Sequence, residues 1–189
     1  MIAVGPLEPA DHEAALALLT AAFADDGGVL AVIGGSDARR RARWFQLILR
    51  LTAATPGQAF CARDGDGLAG VLLLGRAAGA PVLPQLTWLV RALFSLHGGI
   101  IARTMAHDRA RRSAMSDPRA RIVEFVAVDA TRRGQGIGAA LFAAAHGHGG
   151  PFWLETTRPE NLPIFARLGY REVGRRTEHG VSYFAMERP

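Results

Sequence analysis

The stretch Thr131-Arg132-Arg133-Gly134-Gln135-Gly136-Ile137-Gly138-Ala139-Ala140-Leu141 carries the clearest chemistry in the chain. Glycines occupy alternate positions from 134 to 138, two arginines stand ahead of them, and an Ala/Leu run of helix formers follows. Glycine lets a ligand approach the main chain, a helix start offers unpaired N–H groups, and guanidinium adds positive charge. Those properties suit an anion, a phosphate above all. Three readings of the loop compete. A Rossmann dinucleotide site is the first, since Gly134, Gly136 and Ala139 fit G-x-G-x-x-A and Glu155 ends the next strand. Against it, residues 129–133 separate the first glycine from the preceding strand, and too few βα units follow. A structural turn is the second, and it explains one glycine but not three beside two arginines. A pyrophosphate cradle is the third. A Walker-type loop is excluded, because it needs its lysine and all 22 basic residues here are arginine.

Stepping outward, the pattern predicts the elements that hold this loop. Residues 2–8 read as a first strand, and Pro9 and Asp11 open a helix with Asp11 as N-cap. Ala15, Leu18, Leu19, Ala22 and Phe23 form its buried face, and Asp25-Asp26-Gly27-Gly28 end it. A second helix covers about 37–53, with Trp44, Leu47, Ile48 and Leu51 on one stripe. Strands 58–64 and 67–75 flank a turn signal and form a hairpin. A loop at 76–83 precedes two helical pieces over about 84–115, with Leu86, Leu89, Val90, Leu93 and Phe94 at core spacing. Then come a strand at 121–129, a helix at 136–148, a strand at 151–156, a short helix from Pro159 to Leu168 and a hairpin at 170–187. The fold class is α/β: a mixed, mostly antiparallel sheet of about seven strands with helices on both faces. The expectation is a single domain over 1–189 with a helical insertion at about 84–115.

Two blocks resemble the GNAT superfamily of acyl-CoA-dependent N-acetyltransferases. One is the strand Val123–Asp129 followed by Arg133-Gly134-Gln135-Gly136-Ile137-Gly138. The other is Asn161-Leu162-Pro163-Ile164-Phe165-Ala166-Arg167-Leu168-Gly169-Tyr170. The strand order fits over essentially the whole chain, and residues 153–170 look closest to the branch that contains puromycin N-acetyltransferase. The resemblance implies acetyl-CoA as cosubstrate and no metal. It assigns the diphosphate to the main chain of Gly134 to Ala139 with Arg133, and the pantetheine to the main chain of Val126, Ala127 and Val128. Asn161 and Phe165 would line the pantetheine end. The sheet must then splay between the strands at 121–129 and 151–156, and a main-chain N–H near Val126 would polarise the acetyl carbonyl.

An amine must be neutral to attack, so the site needs a proton acceptor. Glu124 lies inside a hydrophobic strand, where an unpaired carboxylate is costly, and four residues before Val128, which alternation puts on the same side. Glu155 is the second candidate, lining the acceptor site or pairing with an arginine. Phe165 departs from the family, which has a tyrosine there to protonate the leaving thiolate. Tyr183, Ser116 or water are the replacements, or the chain only binds acyl-CoA.

Composition bounds the rest. A net charge of +5 comes with basic clusters at 39–43 and 109–112, read as solvated helix faces. The arginines are not interleaved with aromatics, so nucleic-acid binding is not expected. The apolar run 86–96 is interrupted by Arg91 and too short to span a bilayer. No basic start precedes an apolar run at residues 1–13, and the single cysteine, Cys61, reads as a packed small residue, so a cytoplasmic location is expected. His146 and His148 lack acidic or cysteine partners nearby and read as a surface loop. The expected function is acetyl transfer to a primary amine of a small molecule by a monomer or homodimer. The alternatives are an acyl-CoA-binding module and a protein or peptide N-acetyltransferase.

Overall fold

The apolar runs of the sequence assemble into one seven-stranded sheet. Its strands are β1 (Ala3–Pro6), β2 (Ala59–Asp64), β3 (Gly67–Arg76), β4 (Arg121–Val128), β5 (Phe152–Thr156), β6 (Arg171–Glu178) and β7 (Val181–Arg188). The computed structural model describes residues 2–65, 67–76, 82–96 and 98–189. The spatial order is β1-β2-β3-β4-β5-β7-β6. Every neighbouring pair is antiparallel except β4 and β5, which run parallel. A parallel pair needs a crossover, and helix α6 (Ile137–His146) supplies it.

The remaining helices are α1 (His12–Ala22), α2 (Gly27–Ile33), α3 (Ala38–Ala53), α4 (Val82–Ser95), α5 (Gly98–Ser113) and α7 (Leu162–Arg167). Helices α1 to α5 share a core with Cys61, Val71, Leu73 and Ala127. Helices α6 and α7 share another with Phe60, Leu72, Leu74 and Leu154. Alternate residues of β2 and β3 thus feed opposite cores, which is why β3 is apolar almost throughout. The register slips between Leu73 and Leu74: Leu73 opposes Phe125 while Leu74 opposes Val123. Glu124 is the extra residue of a β-bulge, and the bulge resets which side of β4 each later side chain takes.

Several local expectations are corrected. Asp11 does not cap α1. Its carboxylate accepts the Glu8 N–H at 2.9 Å and pairs with Arg63. Asp26 begins a helix absent from the sequence reading, α2, by accepting the Val29 N–H at 3.0 Å. The arginine cluster at 39–43 is not wholly solvated. Arg41 is buried, with Nε donating to the Thr20 carbonyl at 2.9 Å. Leu86, Val90 and Leu93 of α4 are exposed, while Leu89, Ala92 and Leu96 turn inward. The loop expected at 76–83 falls largely outside the described residues, as does the Phe94 side chain. No single helix among the described residues is long and apolar enough to cross a membrane.

His146 is not in a surface loop. It occupies the last turn of α6, 4.7 Å between ring centroids from Phe152, with Nε2 at 3.0 Å from the Tyr170 hydroxyl. Burial, with a smaller push from Arg188, pulls its pKa down to about 4. Below the ordinary value of 6.5 the unfolded chain binds a proton that the folded chain refuses. Stability is therefore fully present above pH 6.5 and declines as the pH falls from 6.5 towards about 4. Thermal denaturation across that window should show a smaller fall in Tm for His146→Gln than for the wild type. Equal falls would contradict this account.

Candidate active site

The three register pairs that join β4 to β5 are Arg121 to Phe152, Ile122 to Trp153 and Val123 to Leu154. Beyond them Glu124–Val128 and Glu155–Thr156 diverge without pairing. One cleft of about 2050 Å³ occupies the divergence and is lined from both faces of the sheet. The α6 face contributes the start of α6, Phe142 and Phe165; the other contributes Phe23, Trp44 and His107.

The glycine loop forms one wall. Asp129 accepts from the N–H and hydroxyl of Thr131 at 2.9 and 2.7 Å and fixes the turn after β4. Gly134 and Gly136 then take φ of 80° and 79°, a conformation that favours glycine. Among the described residues, chain neighbours aside, no atom lies within 4 Å of a Cβ built on either glycine, so the space above the loop is free. Helix α6 starts at Ile137 with no side-chain cap, leaving first-turn N–H groups unpaired. Arg133, Gly134, Gly136, Ile137, Gly138 and Ala139 line the cleft, and Gln135, although in the same loop, does not. Arg132 is engaged with Asp64 at 3.2 Å. Arg133 makes no ion pair among the described residues and is exposed.

Val126, Ala127 and Val128 line the cleft from β4. Phe165 is buried against Phe142 and Tyr170, with ring centroids 5.9 and 6.2 Å away. Asn161 donates to the Thr156 hydroxyl at 3.3 Å, which ties the second motif to the end of β5. Thr157 in turn donates to Asp26 at 2.8 Å, joining this lip to α2.

The bulge overturns the expected alternation on β4. Val128 packs with Val126 on the α6 side, whereas Glu124 turns to the α5 side. There both carboxylate oxygens of Glu124 accept from Arg111, the Oε1 contact measuring 2.8 Å. Arg111 also donates to Asp108 at 2.7 and 2.9 Å, and Asp108 accepts from Arg112 at 2.7 Å. Burial alone would lower the pKa of Arg111, but the Glu124 and Asp108 carboxylates outweigh it and raise the pKa. The arginine run at 109–112 is therefore not wholly a solvated face: Arg111 and Arg112 are engaged, while Arg109 is exposed. Gly75 makes room for this pair, since a Cβ there would overlap the Glu124 carboxylate.

Glu155 is likewise committed. Its oxygens accept from Arg176 Nε and Nη2 at 3.0 and 2.9 Å, and its side chain is 8% exposed. Arg176 also pairs with Glu178 and lies 4.2 Å over the Tyr183 ring. Tyr183 lines the cleft with no hydrogen-bond partner for its hydroxyl among the described residues, and burial, ahead of nearby Glu178, pushes its pKa up to about 12. Ser116 is excluded as a substitute acid: it lies outside the cleft lining and donates to Glu187 at 2.8 Å. The sequence reading did not single out His107, Arg111 or Arg176. Asp108, three residues before Arg111, was the available signal for one of them.

No family model matches the chain, and no curated protein matches it in sequence. Solved structures do match in shape. An acetyltransferase from Corynebacterium glutamicum, described as histone acetyltransferase HPA2 and related acetyltransferase, is 24% identical with a TM-score of 0.69. The match covers 100% of this chain and 96% of that one. The fold is that of the GNAT acetyltransferases. An N-acetyltransferase from Staphylococcus aureus Mu50 has a TM-score of 0.67 at 12% identity, covering 98% and 99% of the two chains. A polyamine N-acetyltransferase from Drosophila melanogaster has a TM-score of 0.62 at 15% identity, covering 99% of each. These names span protein and small-molecule acceptors, so shape alone does not select the acceptor.

Arg111 is the hinge of the acidic cluster, and its removal strands Glu124 while Asp108 keeps Arg112. Arg111→Gln should destabilise the fold by about 3–5 kcal/mol. Adding Glu124→Gln should recover part of that loss, because the double variant no longer buries an unpaired Glu124. Chemical denaturation of the two variants and the wild type measures both effects.

Proposed function

We propose that this chain is an acetyl-CoA-dependent N-acetyltransferase acting on a primary amine of a small molecule by direct attack. One observation carries the reading: a glycine-rich helix start and a separation of two parallel strands open onto the same cleft. The free space above Gly134 and Gly136, the uncapped start of α6 and the unpaired Arg133 fit a diphosphate. The edge of β4 from Glu124 to Val128, without a strand partner on its β5 side, fits the amides of a pantetheine arm. Phe165 and Asn161 would line the same arm. Acetyl-CoA supplies the acyl group as a thioester. The main-chain donors of β4 past Val123 have no β5 partner and lie at the split, where a carbonyl oxygen gaining negative charge would be stabilised.

The other half of the cleft has the character of an amine site. Phe23, Trp44, Trp88 and Phe125 give it an apolar, ring-lined wall. Asp26, Asp108, Glu124 and Glu155 line it together with Arg109, Arg111 and Arg112, so carboxylates and guanidiniums share this wall. Glu124 and Glu155 contribute field rather than proton transfer, since guanidinium groups occupy the oxygens of both. Tyr183 is the candidate for the role that Phe165 lacks: it lines the cleft, and its hydroxyl has no partner among the described residues. An amine with an apolar body suits this wall, and a puromycin-like aminonucleoside is one such compound.

The test is free-thiol release from acetyl-CoA with a panel of 2-phenylethylamine, agmatine, puromycin and an alanyl peptide. Release with a small amine is expected. Thermal stabilisation by CoA without release from any amine would leave only the binding module, and release with the peptide alone would favour protein acetylation. Gly136→Val should weaken CoA binding by about tenfold or more, equivalent to ~1.4 kcal/mol in calorimetric titration.

A further inference from the structure

We infer that Arg176 is the positioning residue for the acid of the reaction: its guanidinium plane holds the ring of Tyr183 at the cleft. The inference rests on the acyl-transfer reading above, with Tyr183 as its acid. Tyr183 stands on β7 directly opposite Arg176 of β6 in the register of that hairpin. No group among the described residues hydrogen-bonds its hydroxyl, so the contacts of the ring decide where that hydroxyl stands. Three groups meet the ring. The guanidinium carbon of Arg176 lies over it, 4.2 Å from the centroid. The His107 imidazole is tilted against it with centroids 5.1 Å apart. Gly28 closes in on one edge, where a Cβ would stand only 3.2 Å from Cε1.

Of the three, Arg176 is itself held in its own plane. Its Nε and Nη2 donate to the two oxygens of Glu155 at 3.0 and 2.9 Å, and Nη1 pairs with Glu178. Its Nη2 also donates to His107 Nδ1 at 3.1 Å. An arginine only donates, so the imidazole accepts through Nδ1 and carries its proton on Nε2. Partners on three edges fix the plane of the guanidinium, and one face of that plane is laid against the tyrosine. The charge matters as well as the shape. Burial, then Glu178, push the Tyr183 pKa up, and Glu155 and Asp26 push the same way, whereas Arg176 pulls it down. A cation over the ring is drawn more strongly to tyrosinate than to tyrosine, so Arg176 offsets those carboxylates as the proton leaves.

The step balances without a further reactant. The amine attacks as the free base, and its lone pair forms the C–N bond. The C–S bond breaks with its electron pair on sulfur. Tyr183 gives its proton to that thiolate, and the proton that nitrogen sheds returns to the tyrosinate through water.

A double-variant cycle with the panel amine that gives the most thiol release tests this. Tyr183→Phe keeps the ring and removes the proton, and should lower kcat by about 10²-fold. Arg176→Lys keeps a cation for Glu155 and Glu178 but loses the plane. It should lower kcat by about tenfold while KM for acetyl-CoA stays within about twofold. In the Tyr183→Phe background the same substitution should change kcat by less than about twofold, because the group it acts through is gone. If thermal denaturation shows that Arg176→Lys does not fold, Glu178→Gln takes its place: it frees one edge of the guanidinium and should follow the same pattern with a smaller loss. Equal losses in the two backgrounds, or no loss of kcat in the wild-type background, overturn the inference alone. Undiminished kcat in Tyr183→Phe overturns the acid and the inference while acetyl transfer stands. CoA binding with no thiol release from the wild type for any amine overturns the acyl-transfer reading and the inference together.

Discussion

Two neighbouring strands that begin as a hydrogen-bonded pair and then part company set the terms for everything else in this molecule. Parallel pairing of β4 with β5 lasts three register pairs, enough to anchor the seven strands as one sheet. Past Val123 and Leu154 the ladder ends, and main-chain groups that a continuous sheet would have consumed are left available. Such groups need partners, and here the surroundings offer a cleft rather than another strand. The bulge at Glu124 adds to the divergence, since a bulged strand bends and twists more than a regular one.

The α5 side of the divergence is held in place by charge as well as by apolar packing. Arg111 joins Asp108 on its own helix to Glu124 on β4, and Arg176 joins Glu155 on β5 to Glu178 on β6. Each guanidinium therefore bridges two elements that no main-chain ladder connects. Buried ion pairs add little net stability compared with apolar residues of the same size, but they fix geometry, and they penalise any arrangement that separates the partners. Trp44 extends the same logic by donating its indole N–H to Thr104 at 3.1 Å, which holds α3 to α5.

Much of the architecture was legible because it rests on local patterns. The apolar runs gave the strands, and the alternating glycines marked the start of α6, where φ near 80° at Gly134 and Gly136 is a requirement of the backbone itself. What was illegible depends on distant partners. Alternation along β4 put Glu124 with Val128, yet the register that separates them is set by Leu73 and Leu74, some fifty residues earlier in the chain. Arg41 reads as one more solvated arginine until the Thr20 carbonyl is brought to its Nε. The stripe of Leu86, Val90 and Leu93 has helical spacing, and spacing alone does not say which stripe faces inward; Trp88, Leu89 and Ala92 compete for the same helix. His107 had no signal at all, because the side chains its ring nitrogens meet, Glu155, Arg176 and Glu178, are distant in the chain.

A passage that runs through a sheet has two doors. The glycine-rich loop stands at one, and the ring-lined wall of Phe23, Trp44 and Phe125 stands at the other. On the proposed reading, thioester and amine arrive from opposite faces and meet without either having to pass the other, and each product retreats by the way its parent came. Traffic of that kind would need no holding station on the protein between the two halves of a transfer, which is the sense of the direct attack proposed above.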